Sequence, residues 1–398
     1  MSYENGVVYL DWAATTPLCR EAYDAMLPYF SVGNENITYN ANANSLHSVG
    51  RNAFKALEKA RASFAKDIGA SRPSEVIFTS GATEANNTAL FKIVASSKKK
   101  AVQKGQRDFI PHVIVSSIEH DSILVPAKLL KSYGCEVDYI LPNKEGFIEP
   151  DKLHALLKPH TVIVSIQAAN NEIGTIQPIE KLAKIAHNNG SLFHTDAVQL
   201  LGKQPLNLED TNIDAASFSA HKICGPKGVG ALYLRRSTPF EPLLVGGGQE
   251  SGLRSGTQNV CAIQGFTAAS RATHITMEEE SKRLTDLRDY LYRKATSFKK
   301  VKATVPVEAG CNKHLPHIVN LIVRGFESET LIMRLDMKGF AVSGGSACSS
   351  HSLDPSHVIT SLGYKTAEAH SSLRVSLGRY TTKDDIERFV KALEECIA

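Results

Sequence analysis

The segment SFSAHKICGPKGVG, residues 217–230, places a lysine between an apolar stretch and a glycine-rich turn. Ser219 and His221 lie just before Lys222, and the first of the glycines follows three residues after it. Lysines are ordinarily solvated surface charges. A lysine at the end of a buried strand is also the residue that forms a Schiff base with a carbonyl cofactor. The choice between these two interpretations depends on which other side chains the fold brings to the same place.

A mostly parallel sheet is the element that would bring them together. Short apolar runs alternate with amphipathic helical runs, which predicts an α/β fold with helices on both faces of the sheet. The predicted strands are EVIFTS (75–80), HVIVSS (112–117), TVIVSI (161–166), SLFHTDAV (191–198), AASFSA (215–220) and GALYLRR (230–236). Sheets of this kind bind ligands at the carboxyl ends of their strands.

The residues that follow these strands form a set that fits one cofactor. SGAT (80–83) opens a helix whose first amides can hold a phosphate, and Thr83 either adds a hydroxyl there or caps the helix. Polar residues follow the other strands. Each would be structural if it stood alone, but together they could surround the ring of a cofactor: His120, Asn170, Asn171, Glu172, Asp196 and Gln199. An anion site, a carboxylate for a pyridine nitrogen and the lysine Lys222 together predict pyridoxal phosphate.

Composition and motifs exclude several other classes of protein. The hydrophobic fraction of 42%, the charged fraction of 22% and the net charge of +4 indicate a globular protein without a nucleic-acid partner. No apolar leader or membrane span is present, so we expect a cytoplasmic protein that makes no membrane contact. The seven cysteines are scattered without a CxxC pair, which argues against disulfides and structural zinc. No dinucleotide or P-loop motif occurs in a strand–helix context.

A change of pattern near residue 260 predicts two domains. The large cofactor-binding domain spans 16–260, and the small domain combines 1–15 with 261–398. The elements predicted after the boundary are a long helix from about Val260 to Phe298 with a break, the strand HIVNLIV, a helix at 328–338, the strands FAVS and SSLRVSL, and a final helix from Lys383.

Eight segments in order resemble the cysteine desulfurases of the NifS/IscS type, which are pyridoxal-phosphate enzymes of the class V aminotransferase-fold family. The segments are LDWAATTP, SGATEANN, EHDS, NNEIGTIQPI, HTDAVQ, SFSAHKICGPKGVGAL, GGGQESGLRSGTQN and VSGGSACSS. The resemblance covers about residues 7 to 390 and implies fold type I, with a large domain around a mostly parallel sheet and a smaller α+β domain. It also implies a homodimer that converts L-cysteine to L-alanine and passes the sulfur to an acceptor protein, either an iron–sulfur scaffold or a thiolation enzyme.

The resemblance also implies roles for individual residues. Lys222 would hold the cofactor as a Schiff base and move the substrate's proton, Asp196 would pair with the pyridine nitrogen, and His120 would stack on the ring and assist proton transfer. Arg374 would grip the substrate α-carboxylate as a two-point fork. The other implied contacts are Gln199 and Asn171 near the phenolic oxygen, Ala82, Thr83, Ser219 and His221 at the phosphate, and Thr257 at the phosphate of the neighbouring subunit.

Cys348, in SGGSACSSHS, distinguishes a desulfurase from the other enzymes of this fold. A free cysteine is by default a small buried residue, but the surrounding Gly, Ser and Ala are typical of a loop. A thiolate on a loop can attack the substrate sulfur and carry it away as a persulfide. We predict no resident metal and leave open a transient iron–sulfur ligation by Cys348.

Other functions compete with this interpretation. A selenocysteine lyase or another class V aminotransferase-fold enzyme would share the cofactor site, although an aminotransferase has no use for a loop cysteine. A catalytically dead scaffold would be expected to have lost Lys222, Asp196 or Cys348, and all three are present.

Three features depart from the family pattern. The segment 31–50 is longer than the usual loop before the histidine, which is His47 here. Trp12 replaces the commoner Tyr or Asn in LDxxATTP. The sequence ends at ALEECIA, where many housekeeping members continue into a tail that docks the iron–sulfur scaffold, and this weakens the expectation of docking by that route.

Overall fold

A seven-stranded sheet lies at the centre of the structure, a computed structural model that describes residues 6–33, 37–345 and 354–398. After a short first strand, β1 (Val8–Tyr9), the strands of this sheet are β2 (Val76–Thr79), β3 (His112–Ser116), β4 (Glu136–Ile140), β5 (Thr161–Ser165), β6 (Leu192–Asp196), β7 (Ala215–Ser219) and β8 (Gly230–Leu234). The order across the sheet is β2-β8-β7-β6-β5-β3-β4. Every described pairing is parallel except the two made by β8.

Helices cover both faces of this sheet, as the alternating sequence pattern predicts. They are α1 (Arg20–Met26), α2 (Ser48–Asp67), α3 (Ala82–Gln103), α4 (Asp121–Ser132), α5 (Pro150–Leu156) and α6 (Ile179–Asn188). Successive residues of β3 enter different cores, because side chains alternate across a strand. Ile114 packs in one cluster, and Val113 and Val115 pack in the cluster on the opposite face. The predicted α/β class with a mostly parallel sheet is therefore confirmed.

A smaller antiparallel sheet follows in the sequence. The remaining elements are α7 (Val260–Ala295), β9 (Val301–Ala303), β10 (Ile318–Val323), α8 (Ser328–Asp336), β11 (Phe340–Ala341), α9 (His357–Ser361), α10 (Thr366–Ala369), β12 (Ser372–Ser376) and α11 (Lys383–Ile397). Strand β10 lies between β12 and β9. The early strand β1 runs parallel to β11, with Val8 opposite Phe340. The first described residues thus pack against the C-terminal part of the chain.

The long helix α7 runs without the break that the sequence analysis predicts. Its charged middle is rich in Glu, Lys and Arg, which favour helix and so continue it. The first half buries Phe266 in the core of the large sheet, and the second half buries Leu284 and Leu291 in the core of the small sheet. Helix α7 therefore belongs to both cores, and the domain division at residue 260 stays a prediction.

Two further elements differ from the predicted pattern. The sequence predicts a helix over 82–94 followed by a solvated loop with the lysine run 98–100, whereas α3 continues to Gln103, since no glycine or proline interrupts it before Gly105. Strand β4 is absent from the sequence-based prediction, since it is a short edge strand that alternates polar and apolar residues. None of the helices in the described ranges is both long enough and apolar enough to span a bilayer.

Candidate active site

A pocket of about 420 Å³ opens at the carboxyl ends of the parallel strands, where α/β sheets bind their ligands. Its lining includes most of the residues singled out from the sequence: Ala82, Thr83, His120, Asn171, Asp196, Gln199, Ser219, His221, Lys222 and Arg374. Thr257 is exposed and lies outside this lining. Cys348 lies outside the described residues. His47 does not line the pocket but caps α2, where its Nδ1 accepts a 3.2 Å hydrogen bond from the Gly50 amide.

Lys222 lies inside this pocket and is not a surface charge. A single 3₁₀ turn, Ala220–Lys222, follows β7 and ends with the lysine. The Lys222 Nζ donates 2.7 Å hydrogen bonds to the carbonyl oxygens of Ala13 and Ala14. The turn then closes at Gly225, where a Cβ would lie 2.9 Å from the carbonyl oxygen of Ala220. The glycine-rich turn that follows Lys222 in the sequence therefore helps to position the lysine.

Asp196 ends the strand next to β7 and is nearly buried, at 8% exposure. Its Oδ1 accepts a 3.0 Å hydrogen bond from the Val198 amide, and its Oδ2 accepts a 2.6 Å hydrogen bond from Asn86 Nδ2. Gln199 lies close by and donates to the carbonyl oxygen of Ala13 at 3.0 Å. A buried carboxylate needs such donors, and Asp196 is held by them in a fixed orientation.

Asn86 is a site residue that the sequence analysis missed. It is fully buried on α3, one helical turn after Ala82, and so lies on the same face of the helix as the pocket residues. Besides Asp196, its amide donates to Ser122 Oγ at 2.8 Å. The signal available in the sequence was an asparagine at that spacing within SGATEANN.

His120 combines a structural role with a place in the pocket. Its Nδ1 caps α4 by accepting a 3.1 Å hydrogen bond from the Ser122 amide, and it lies 2.9 Å from Ser122 Oγ. Because Nδ1 accepts from a backbone amide, the proton of the neutral ring lies on Nε2. A hydrogen-bond chain through Ser122 and Asn86 thus links His120 to Asp196.

The first turn of α3 gives the pocket a candidate anion site. Gly81 caps the helix, so Thr83 is not the cap and lies in the first turn with Ala82. The free amides of a helix N-terminus attract anions. A Cβ added at Gly81 would meet no atom within 4 Å, whereas one added at Gly230 would lie 2.7 Å from Gly81 Cα. Open space for a phosphate therefore exists beside the helix, and close packing supports it from behind.

Ser219 and His221 line the same pocket. Burial, together with the positive charges of Lys222 and Lys227, lowers the pKa of His221 to about 4. The ring is therefore neutral at pH 7, with its Nδ1 3.1 Å from Thr15 Oγ1. The groups that line this pocket fit pyridoxal phosphate. They are helix amides, hydroxyls, a neutral imidazole, a lysine and a fixed carboxylate.

Arg374, on β12, brings a buried positive charge to the pocket. Its Nη1 donates to the carbonyl oxygen of Asn171 at 2.9 Å, and its Nη2 forms a 2.9 Å ion pair with Asp11 Oδ1. Among the described residues, its Nε has no hydrogen-bond partner. Asp11 was not predicted from the sequence.

Of the two adjacent asparagines singled out from the sequence, Asn170 has the structural role. It forms a turn, because its Oδ1 accepts hydrogen bonds from the amides of residues 172 and 173.

The loop before Thr257 is tied to the start of α3. Arg254 makes two hydrogen bonds to the carboxylate of Glu84, at 2.8 and 3.2 Å. Arg61 likewise holds the buried Glu250 at 2.6 and 2.8 Å, although Glu250 adopts a φ of 50°. These ion pairs keep the loop in place while Thr257 remains exposed.

Trp12, the unusual residue of the LDxxATTP segment, has a packing explanation. The indole is buried, and its Nε1 donates to the carbonyl oxygen of Tyr9 at 3.0 Å. A Cβ on Gly378 would lie 1.8 Å from the indole ring, so the glycine makes room for the tryptophan. Trp12 therefore supports the segment that carries the carbonyl groups bonded to Lys222.

Comparisons with known proteins agree with this geometry. The family model for class-V aminotransferases matches residues 8–389. Among curated proteins, the cysteine desulfurase IscS of Dictyoglomus turgidum is 43% identical over 390 residues, which cover 98% of this chain and 94% of the relative. Among solved structures, a NifS-like protein is 35% identical with a TM-score of 0.85 and 98% of each chain covered. SspA, solved in complex with cysteine, is 33% identical with a TM-score of 0.77, over 94% of this chain and 99% of that one.

The chain belongs to the class-V aminotransferase family. Within that family, the relatives and solved structures that match along nearly its whole length include proteins named IscS, NifS-like and cysteine desulfurase. The cofactor predicted from the sequence, pyridoxal phosphate, is confirmed by this membership.

Proposed function

We propose that this pocket removes sulfur from L-cysteine, with Lys222 as the cofactor-binding lysine and Cys348 as the sulfur acceptor. The predicted activity, that of a pyridoxal-phosphate-dependent cysteine desulfurase, is confirmed by the full-length curated relatives, and the lyase or other class V alternative is not favoured. One observation carries the assignment of residues: Lys222, Asp196 and Arg374 line a single pocket.

Arg374 would bind the α-carboxylate of the substrate. The Arg374 guanidinium lines the pocket, and its hydrogen bonds to Asn171 and Asp11 leave further N–H groups that can form a two-point contact with a carboxylate. Asp11 and the carbonyl oxygen of Asn171 hold the guanidinium still, so that little conformational freedom is lost on binding. The solved structure of SspA in complex with cysteine supports the same substrate here.

Lys222 would move the proton at the substrate Cα. When bound, pyridoxal phosphate withdraws electrons from the substrate and acidifies its Cα hydrogen. Asp196, fixed by Asn86 and Val198, would hold the pyridine nitrogen in its protonated form. His120, with its proton on Nε2, would face the ring, and Gln199 and Asn171 would lie near the phenolic oxygen. Ala82, Thr83, Ser219 and His221 would hold the phosphate.

Cys348 would receive the sulfur. Its thiolate forms a bond to the substrate sulfur while the Cβ–S bond of the substrate breaks, and the electron pair of that bond stays with the substrate carbon. The carbon then takes up a proton, so that L-alanine leaves and a persulfide remains on Cys348. The persulfide sulfur passes to an acceptor protein, either an iron–sulfur scaffold or a thiolation enzyme, for which the IscS names of the relatives give support.

Thr257 would act in trans in a cytoplasmic homodimer. Its exposed position at the end of an ion-paired loop, outside the pocket of its own chain, leaves it accessible to the cofactor phosphate of a neighbouring subunit. This dimeric arrangement is part of the proposal and would be checked by sedimentation of the wild type and a Thr257→Ala variant.

The first test compares wild type, Cys348→Ala and Lys222→Ala in a reaction with L-cysteine and a reductant. We expect Cys348→Ala to keep the visible absorbance of the cofactor while alanine and sulfide production fall by about 100-fold or more. Lys222→Ala should lose both the products and the normal cofactor absorbance. Cys311→Ala is the matched control, since Cys311 is a half-buried cysteine away from the pocket. Wild-type product formation by Cys348→Ala would contradict the persulfide mechanism.

A further inference from the structure

Glu172 is a buried carboxylate for which the proposed mechanism has no role. It directly follows the pocket residue Asn171 and is only 1% exposed. Glutamate is rarely buried to this extent without a partner. Its backbone is fixed on both sides, because its amide donates to Asn170 Oδ1 at 2.8 Å and its carbonyl accepts from Asn320 Nδ2 at 3.1 Å. The backbone of Glu172 is thus fixed beside the pocket residue Asn171.

The carboxylate of Glu172 contacts the chain on both sides of residues 346–353. On one side, a Cβ built on Gly345 would lie 3.1 Å from Glu172 Oε2, so the backbone of Gly345 packs against the carboxylate. On the other side, the Ser356 hydroxyl donates a 2.6 Å hydrogen bond to the same Oε2. Ser356 is also the N-cap of α9 and accepts from the Ile359 amide. One oxygen atom therefore meets both ends of the segment that contains Cys348.

Two further contacts tie these ends to the pocket. Ser343 exchanges backbone hydrogen bonds of 3.1 and 2.6 Å with Arg374, the proposed carboxylate-binding residue. His357 Nε2 donates a 2.9 Å hydrogen bond to the carbonyl oxygen of Glu119, the residue before His120. Each of the two ends is thus bonded to a pocket residue or to its immediate neighbour in the chain.

We propose that Glu172 is a positioning residue that holds both ends of the Cys348-bearing segment beside the cofactor pocket. Cys348 follows Gly345 by three residues in the sequence, so this anchor lies next to it along the chain. Fixing both ends of a segment removes conformational freedom that would otherwise oppose an encounter between the thiolate and the substrate sulfur. The inference rests on the proposed role of Cys348, and it assigns Glu172 to the sulfur-transfer step alone.

The test separates sulfur transfer from the proton chemistry. Glu172→Ala, Glu172→Gln and Ser356→Ala would each be loaded with cofactor. The first readout is the rate at which L-alanine exchanges its Cα hydrogen in D₂O, which needs Lys222 and the cofactor but no cysteine. The second is the single-turnover rate of persulfide formation on Cys348, followed by alkylation and mass spectrometry. Glu180→Gln, at an exposed position on α6, serves as the control for loss of a carboxylate.

We expect exchange to stay within about two-fold of the wild type while persulfide formation falls about 10-fold to 100-fold in Glu172→Ala, and less in Glu172→Gln and Ser356→Ala. Persulfide formation at the wild-type rate in both Glu172 variants would overturn the inference. So would an equal loss in both readouts, since that result would mean general damage to the pocket. If Glu172→Ala does not fold, Ser356→Ala decides, because it removes one anchor and leaves the carboxylate in place. Failure of the sulfur-acceptor role itself would instead appear as persulfide-independent turnover in Cys348→Ala.

Discussion

The side-chain amide of Asn86 donates a 2.6 Å hydrogen bond to the carboxylate of Asp196. Both side chains are buried, so the bond is made out of contact with bulk water and its loss would leave a buried acceptor without its donor. The same amide also bonds to Ser122, which in turn contacts His120. Asn86 therefore orients Asp196 and, through Ser122, His120, which are the two residues that we propose contact the cofactor ring.

Replacing Asn86 with alanine should weaken cofactor binding. Loss of a buried hydrogen bond to a charged group costs about 1.5 to 3 kcal/mol, which corresponds to about 10-fold to 100-fold in affinity. The measurement is the release of pyridoxal phosphate during dialysis, followed by its visible absorbance. Asn189→Ala is a suitable control, because Asn189 is a half-buried asparagine before β6, at the opposite edge of the sheet. Equal cofactor release from the two variants would refute the prediction.

Replacing Asp11 with alanine should raise the KM for L-cysteine. Arg374 is 1% exposed, so removal of its ion-pair partner leaves a buried charge less well compensated and free to turn. We expect a rise of about 10-fold, with a smaller rise in Asp11→Asn, which keeps an acceptor for the Nη2 hydrogen bond. Steady-state kinetics of the two variants provide the measurement. Asp24→Ala, which removes the exposed ion-pair partner of Arg20, should leave the KM unchanged.

A KM that stays at the wild-type value in Asp11→Ala would show that the guanidinium needs no support from Asp11. The cofactor absorbance of both variants should match the wild type, since Asp11 makes no described contact with Asp196 or Lys222.

The stability of the protein should fall as the pH drops below about 6.5, and His194 should account for part of the loss. This histidine is fully buried between Ser165 and Ser217, and burial lowers its pKa to about 3. Between pH 6.5, the ordinary pKa of histidine, and about pH 3, His194 takes up a proton in the unfolded chain but not in the folded chain. Each such group then lowers the free energy of unfolding by about 1.4 kcal/mol per pH unit as the pH falls.

Urea unfolding of His194→Asn at several values between pH 7 and 4.5 tests this expectation. Its free energy of unfolding should depend less steeply on pH than that of the wild type. His154→Asn is the matched control, because His154 is exposed on α5. Parallel curves for His194→Asn and the wild type would contradict the assignment of the pH dependence to His194.

Strand-end residues could be predicted from the sequence because a local pattern positions them. An apolar run fixes where β6 and β7 end, and the covalent chain then places Asp196 and Lys222 within a few residues of those ends. Glycines at the start of α3 and after Lys222 carried a further local signal. Parallel sheets bind ligands at the carboxyl ends of their strands, so the residues at several strand ends could be assigned to a single pocket.

Residues that act through tertiary contacts could not be predicted in this way. Asp11 and Arg374 are far apart in the sequence, and nothing in either neighbourhood indicates the ion pair. The same holds for Glu172 and Ser356, whose hydrogen bond depends on the packing of two distant segments. Helix α7 was predicted with a break, whereas the helix-favouring Glu, Lys and Arg of its charged middle continue the helix.

The pairing of β1 with β11 has a consequence for how the chain is made. Synthesis releases Val8 and the carbonyl groups of Ala13 and Ala14 first, yet Phe340, the partner of Val8, emerges only near the end. The first strand must therefore wait, unpaired, until most of the chain has left the ribosome. A chain that ended before Phe340 would therefore carry Lys222 and the carbonyl groups of Ala13 and Ala14 without the strand pairing that positions β1.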